Sequence, residues 1–205
     1  MTLKIAVLVS GRGSNLQAII DSIESGYIRD AVVSLVISNK EDAYALERAK
    51  NHNISAVFLD PGKYDRSGYD RAILSVLKEY GIDLLLLAGY FRLLGSEIIE
   101  AYRNRILNIH PSLLPAFKGL HAQRQAFEYG VKVAGCTVHF VDEGLDSGPI
   151  ILQRCVPVLP DDTEETLTDR ILEQEHIIYP EAVRLFIEGK LKIEGRNVLF
   201  PELTG

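Results

Sequence analysis

Asn108 and His110, one residue apart in Ile106-Leu107-Asn108-Ile109-His110, are the first residues of this 205-residue chain whose types and spacing suggest chemistry. Side chains alternate in an extended segment, so these two share one face and Ile109 takes the other. An amide N–H can hydrogen-bond an oxyanion as it forms, and an imidazole can carry a proton near neutral pH. The plainer alternative is an Asn and a His satisfied by nearby backbone. Downstream, Asp142-Glu143-Gly144-Leu145-Asp146-Ser147-Gly148-Pro149 is acidic and built of residues that favour turns. One of its carboxylates beside His110 would favour the imidazolium and could orient a water for proton relay. A calcium loop does not fit, because the twelfth position counted from Asp142 is Gln153 where a bidentate Glu is required.

Ser10-Gly11-Arg12-Gly13-Ser14-Asn15 suggests a different task. A helix amino terminus presents N–H groups and the positive end of the helix dipole, and glycines let the backbone approach an anion closely. A phosphate site is therefore expected. The dinucleotide fingerprint fails, since Leu16 stands where G-x-G-x-x-G needs its third glycine and no ribose-binding acid follows Ser38-Asn39-Lys40. The Gly-Lys-Ser/Thr ending of a P-loop is missing too. The competing reading is a tight turn with Ser14 or Asn15 as N-cap. Arg92, shortly after the apolar run that ends at Gly89, would suit a carboxylate or phosphate or simply lie exposed. No His or Cys pair has the spacing of a zinc site, so no metal is expected. His139 shares one face of an alternating segment with Thr137 and Val141. Cys136, on the other face, reads as a buried structural thiol rather than a nucleophile.

These residues need elements to position them. Ile5–Val9 is an unbroken apolar run ending at the glycine loop, the pattern of a strand buried on both faces. Leu16, Ile19, Ile20 and Ile23 then mark one helical face, with Gly26 as a stop. The alternation continues with strands at 31–38, 56–59, 83–88 and 106–109, and helices at 42–51, 69–80 and 96–102. Such alternation implies right-handed βαβ crossovers, a mostly parallel Rossmann-like sheet and helices on both of its faces. Pro111-Ser112-Leu113-Leu114-Pro115 cannot continue a central strand. Beyond it the pattern is mixed: a helix at 123–129, strands at 133–141 and 149–158 set antiparallel, a long helix at 164–188 bent near Pro180, and a closing hairpin at 190–199. With no repeat and no linker, a single α/β domain over 1–205 is expected, with a phosphate-binding βαβ half at 1–110 and the remaining active-site half at 111–205.

Composition narrows the partners. Lys and Arg total 22 against 28 Asp and Glu, a net charge of −6 that argues against nucleic acid. The 47% hydrophobic and 24% charged content is that of a globular domain, not of a disordered or coiled-coil chain. The apolar start is too short for a secretory leader, and no run approaches the roughly 20 residues of a membrane span. A cytoplasmic protein with its two cysteines, Cys136 and Cys155, as reduced thiols is expected, although one bridge is allowed.

At this point a family resemblance emerges. Ser10-Gly11-Arg12-Gly13-Ser14-Asn15-Leu16, Asn108-Ile109-His110-Pro111-Ser112-Leu113-Leu114-Pro115, Gly119-Leu120-His121 and Leu145-Asp146-Ser147-Gly148-Pro149 resemble the phosphoribosylglycinamide formyltransferases of the folate-dependent formyltransferase superfamily. The similarity extends to Gln174-Glu175-His176 and Tyr179-Pro180. It implies transfer of a formyl group from 10-formyltetrahydrofolate to the amine of glycinamide ribonucleotide in purine synthesis, without a metal. The resemblance implies a catalytic triad at Asn108, His110 and Asp146. It places the ribonucleotide on Gly13, Ser14 and Asn15, with Gln174 and Glu175. It places the folate on Arg66, on Phe91, Arg92, Leu93 and Leu94, on Asn108, and on Asp142, Glu143, Gly144, Leu145 and Asp146. A homodimer is compatible with it.

Two departures are mild: Phe91 where Met is common, and Ser147 where a second Gly is common. Methionyl-tRNA formyltransferase carries an additional carboxyl-terminal domain, and formyltetrahydrofolate hydrolase an amino-terminal domain and a second His where this chain has Pro111. Neither extra domain is expected here. A non-catalytic nucleotide module would leave Asn108, His110 and Asp146 without a task, and a thiol hydrolase would need a reactive Cys136.

Overall fold

The computed structural model describes residues 2–200. Its described residues divide into two compact units that part between Leu107 and Asn108.

The first unit alternates strands and helices: β1 (Leu3–Val9), α1 (Ser14–Glu24), β2 (Ala31–Ser38), α2 (Tyr44–Asn51), β3 (Ser55–Phe58), α3 (Arg66–Glu79), β4 (Leu84–Leu87) and α4 (Ser96–Ala101). Its strands neighbour one another in the order β3-β2-β1-β4, and every pairing is parallel, from Leu3↔Ala31, Ile5↔Leu84 and Leu35↔Ser55 onward. Ile5 to Val9 are all 0% exposed, so Ile5, Val7, Leu8 and Val9 each contribute roughly 1.5–3 kcal/mol of burial, which is why an all-apolar run ends up in the centre. Leu16, Ile19 and Ile20 bury the inward face of α1. After β3 the chain returns to the other side of β1, which makes the carboxyl ends of β1 and β4 a topological switch point, where open α/β sheets bind ligands.

The second unit begins within β5 (Ile106–His110) and holds α5 (Ala122–Tyr129), β6 (Val133–Phe140), β7 (Ile150–Pro157), α6 (Glu164–Ile187) and a hairpin of β8 (Lys192–Glu194) and β9 (Asn197–Leu199). The strand order is β5-β6-β7, with β6 and β7 antiparallel from Val133↔Pro157 to His139↔Ile150. A Cβ at Gly135 would lie 2.0 Å from the Arg154 carbonyl, so this pairing demands glycine there. Helix α6 begins at a capping box, Thr163 and Thr166 each accepting the other's backbone N–H, and continues as one element through the buried Pro180.

The expected α/β class, parallel first and antiparallel later, is the observed one. The main boundary difference is α3, which begins at Arg66 instead of near Tyr69 because the Asp65 carboxylate accepts the Gly68 N–H at 2.6 Å and caps the helix early. A short 3-10 turn at Pro61–Lys63, capped by Asp60, was not anticipated. Both cysteines are free, and among the described residues no helix is long and apolar enough to cross a membrane.

Candidate active site

Strand β5 delivers Asn108 and His110 as the alternation requires, and both are engaged. His110 is 5% exposed. Its Nε2 lies 2.9 Å from the Phe117 carbonyl oxygen, which can only accept, so Nε2 carries a hydrogen. Its Nδ1 faces Asp146 Oδ2 at 3.5 Å. Only the imidazolium has an N–H for each of these two acceptors. Asp146 is itself fixed, because Oδ2 accepts the Gly119 N–H at 2.8 Å and the residue sits at φ 44°, a left-handed conformation that Asp tolerates. Two backbone groups of the segment after β5, the Phe117 carbonyl and the Gly119 amide, thus contact the His and the Asp respectively.

A fourth side chain, His139 of β6, completes the cluster. Its Nδ1 is 2.8 Å from the Phe140 carbonyl oxygen, so it is the protonated nitrogen, and Nε2 is left to accept from Asn108 Nδ2 at 3.1 Å. That bond fixes which way the Asn108 amide points. Burial pushes the His139 pKa down, against the opposing pull of the Phe140 carbonyl and of Asp146, whose Oδ1 is 3.8 Å away. His139 is neutral in the folded protein, whereas in the unfolded chain it binds a proton near its ordinary value of 6.5. The unfolded state therefore takes up more protons on acidification, and His139's share of the stability, complete above that value, is lost as pH falls below it. Urea unfolding at pH 7.5 and pH 5.5 is expected to show a smaller acid loss for His139→Asn than for the wild type; equal losses would contradict the assignment. Thr137, on the same face as His139, is also used: its buried Oγ1 donates to the Ser112 carbonyl and accepts from Leu114 N–H and Gln153 Nε2, holding the segment that follows His110.

The acidic loop separates its two Asp residues by task. Asp142 Oδ1 accepts from Gly144 N–H and from Ser147 Oγ, closing the turn, while Asp146 faces His110. Ser147, a departure from the resembled pattern, thereby has a structural role. Glu143, Gly144 and Leu145 lie exposed along the turn. Gln174 and Glu175 lie in α6, Gln174 half-buried and Glu175 buried, and Glu175 helps burial push the Cys136 thiol up to about 12. A thiol held that far above neutrality supplies no thiolate.

In the first unit the glycine loop has an unusual cap. The N-cap of α1 is Gly13, at φ 70° and ψ 33°, not Ser14 or Asn15, and no side chain caps the helix. The loop's carbonyls are turned toward α2 instead: the Gly11 oxygen accepts from Ala45 N–H at 3.1 Å and the Arg12 oxygen from Arg48 Nε at 2.9 Å. Arg48 also donates to Gln17 Oε1, and Gln17 Nε2 in turn contacts His52. With these carbonyls taken up by α2, the loop's negative peptide ends are directed there, which favours an anion at the amino end of α1.

The residues assigned to folate by resemblance in this unit follow β4 or open α3. Phe91 and Leu93 are 60% and 62% exposed, large for apolar side chains, and Leu94 is buried. Arg92 lies over the Tyr69 ring at 4.9 Å. Arg66 lines an open cleft of about 300 Å³ with Ser67, Asp70, Gly95, Ser96 and Glu97. Burial pushes the Asp70 carboxyl up, with the Gly95 amide, Arg66 and Arg92 pulling the other way. Among the described residues no group of three or more His, Cys, Asp or Glu is arranged to hold a metal ion.

An amide donor, an imidazole and a carboxylate gathered at the end of an α/β strand are groups able to stabilise an oxyanion and to move a proton. Comparison with known proteins shows the family. The formyl transferase family model matches residues 3–183. The chain is 46% identical over 192 residues to phosphoribosylglycinamide formyltransferase of Escherichia coli, covering 93% of this chain and 90% of that protein. It is 47% identical over 188 residues to the trifunctional purine biosynthetic protein adenosine-3 of Drosophila melanogaster, covering 91% of this chain but only 14% of that much longer protein. Among solved structures, glycinamide ribonucleotide transformylase 1 from Symbiobacterium toebii matches with a TM-score of 0.95 at 57% identity, over 97% of this chain and 94% of that one. The chain belongs to the formyl transferase family.

Proposed function

We infer that the protein transfers the formyl group of 10-formyltetrahydrofolate to the amine of glycinamide ribonucleotide, giving the N-formyl ribonucleotide and tetrahydrofolate. The observation that carries this reading is the Asn108, His110 and Asp146 cluster, with His110 Nδ1 facing Asp146 Oδ2 at 3.5 Å. The substrate amine attacks the formyl carbon, and the carbonyl oxygen becomes an oxyanion. Asn108, its amide oriented by His139, and the His110 imidazolium donate to that oxygen. Loss of one such donor typically costs about 2.7–4 kcal/mol of transition-state stabilisation. The attacking nitrogen then gives up a proton, folate N10 gains one, and the carbon–N10 bond breaks to release tetrahydrofolate. Asp146 holds the charge of His110 and relays that proton through water.

The ribonucleotide phosphate is assigned to the amides of Gly13, Ser14 and Asn15, with Gln174 and Glu175 on the same substrate. The folate is assigned to Arg66, to Phe91–Leu94, to Asn108 and to the 142–146 turn. Exposed Phe91 and Leu93 beside Arg92 suit a ligand with a flat ring system and a carboxylate tail.

A formyl-transfer assay run with and without glycinamide ribonucleotide tests the reading. Release of tetrahydrofolate is expected only when the ribonucleotide is present. Equal release without it would make the protein a hydrolase, and failure to bind either ligand would overturn the assignment.

A further inference from the structure

Ser10 lies between the end of β1 and the glycine loop, is 2% exposed, and takes no part in the chemistry above. Its hydroxyl joins two other segments. The Oγ–H donates to Asn39 Oδ1 at 2.6 Å, beyond the end of β2, and the Phe91 N–H donates to Oγ at 3.0 Å. The Ser10 backbone N–H donates to the Gly89 carbonyl at 2.9 Å. Ser10 is therefore bound on two atoms to the segment that leaves β4, and through its own chain it opens the glycine loop. Its hydroxyl hydrogen goes to an amide oxygen and not to a base, so it is no activated nucleophile.

The 89–94 segment has few other anchors of this kind. Gly89 turns it with φ 70°, Tyr90 reaches the Tyr69 hydroxyl at 3.5 Å, and Arg92 stacks over the Tyr69 ring. These contacts hold side chains on α3. The orientation of the Tyr90–Phe91 peptide is set by the Ser10 hydroxyl. Because β1 and β4 are direct neighbours, one buried oxygen registers the two segments that follow them.

We propose that Ser10 is a positioning residue that locks the glycine loop and the Phe91–Leu94 segment to one another, so that binding of both substrates depends on a single hydroxyl. The assignment of one substrate to each segment rests on the function proposed above; the lock itself does not.

Two measurements separate these layers. In hydrogen exchange on the free protein, Ser10→Ala is expected to speed exchange of the amides of residues 13–15 and 91–94 together, and Ser10→Thr, which keeps the hydroxyl, to restore much of the protection. In steady-state kinetics Ser10→Ala is expected to raise KM about five- to tenfold for both glycinamide ribonucleotide and 10-formyltetrahydrofolate, the size of one or two net hydrogen bonds. Turnover at saturation is expected to stay within about twofold. Asn15→Ala serves as the ribonucleotide-only control and Arg92→Ala as the folate-only control. Unchanged exchange in either segment, or a KM effect on one substrate alone while both controls behave, overturns the proposal. Faster exchange in both segments with controls that do not separate the substrates upholds the lock and overturns the site assignment.

Discussion

Replacing Asp146 by Asn is expected to lower turnover about a hundredfold or more while the affinity for a folate analogue stays within about threefold. The substitution is close to isosteric, and the amide oxygen can still accept the Gly119 N–H that Asp146 Oδ2 accepts at 2.8 Å, so the turn keeps its anchor. What disappears is the negative charge facing His110 Nδ1. The imidazolium then loses its counter-charge, the oxyanion loses a charged donor, and the proton on the attacking amine loses its relay. Rapid-quench turnover and calorimetric titration with the analogue measure the two quantities separately. An unchanged turnover number would remove Asp146 from the chemistry, and a parallel collapse of analogue affinity would make its role structural.

The second large effect is expected at Gly13. Its φ of 70° is a left-handed conformation, and a Cβ there would stand 2.6 Å from Ala45 Cβ and 3.0 Å from Ala45 Cα. A flexible side chain could yield, but a backbone atom cannot. Left-handed backbone costs a residue with a Cβ about 1–2 kcal/mol, and forced overpacking adds about 1–3 kcal/mol. Gly13→Val is expected to relieve this by moving the loop, raising KM for glycinamide ribonucleotide about a hundredfold and lowering the melting temperature. Gly11→Ala is the internal comparison, since nothing lies within 4 Å of a Cβ at Gly11; its melting temperature is expected to stay near that of the wild type. If Gly13→Val binds the ribonucleotide normally, the loop does not hold the phosphate.

Much of this was legible because the residues concerned obey local rules. The strand at Ile5–Val9 announces itself by an uninterrupted apolar run and the one at Ala31–Ser38 by a β-branched run broken only by Ser34, and the pairing of Asn108 with His110 follows from strand alternation alone. What escaped depends on groups that carry no pattern. The Phe117 carbonyl and the Gly119 amide are backbone atoms that any sequence supplies; only the folded segment aims them at His110 and Asp146. His139 was visible as a strand histidine sharing a face with Thr137 and Val141, but its bond to Asn108 needs β6 to lie beside β5 in one register, and register between distant strands is not written in either strand. Residue types alone did not separate Asp142 from Asp146. Asp142 is drawn into its own turn by the Gly144 amide and the Ser147 hydroxyl, which leaves Asp146 for the histidine.

The contact between Gly13 and Ala45 has a consequence for how this protein can vary. Residue 45 supplies the N–H that fixes the Gly11 carbonyl, and its small side chain is what lets the loop pass. A larger residue at 45 therefore displaces the glycine loop without touching any ligand, and in a screen it would be mistaken for a residue of the binding site. The dependence runs one way: glycine at 13 has no side chain to give up, so no change there can make room for a larger residue at 45. Helix α2, which supplies none of the residues proposed for the chemistry, is in this sense the mould in which the glycine loop is cast.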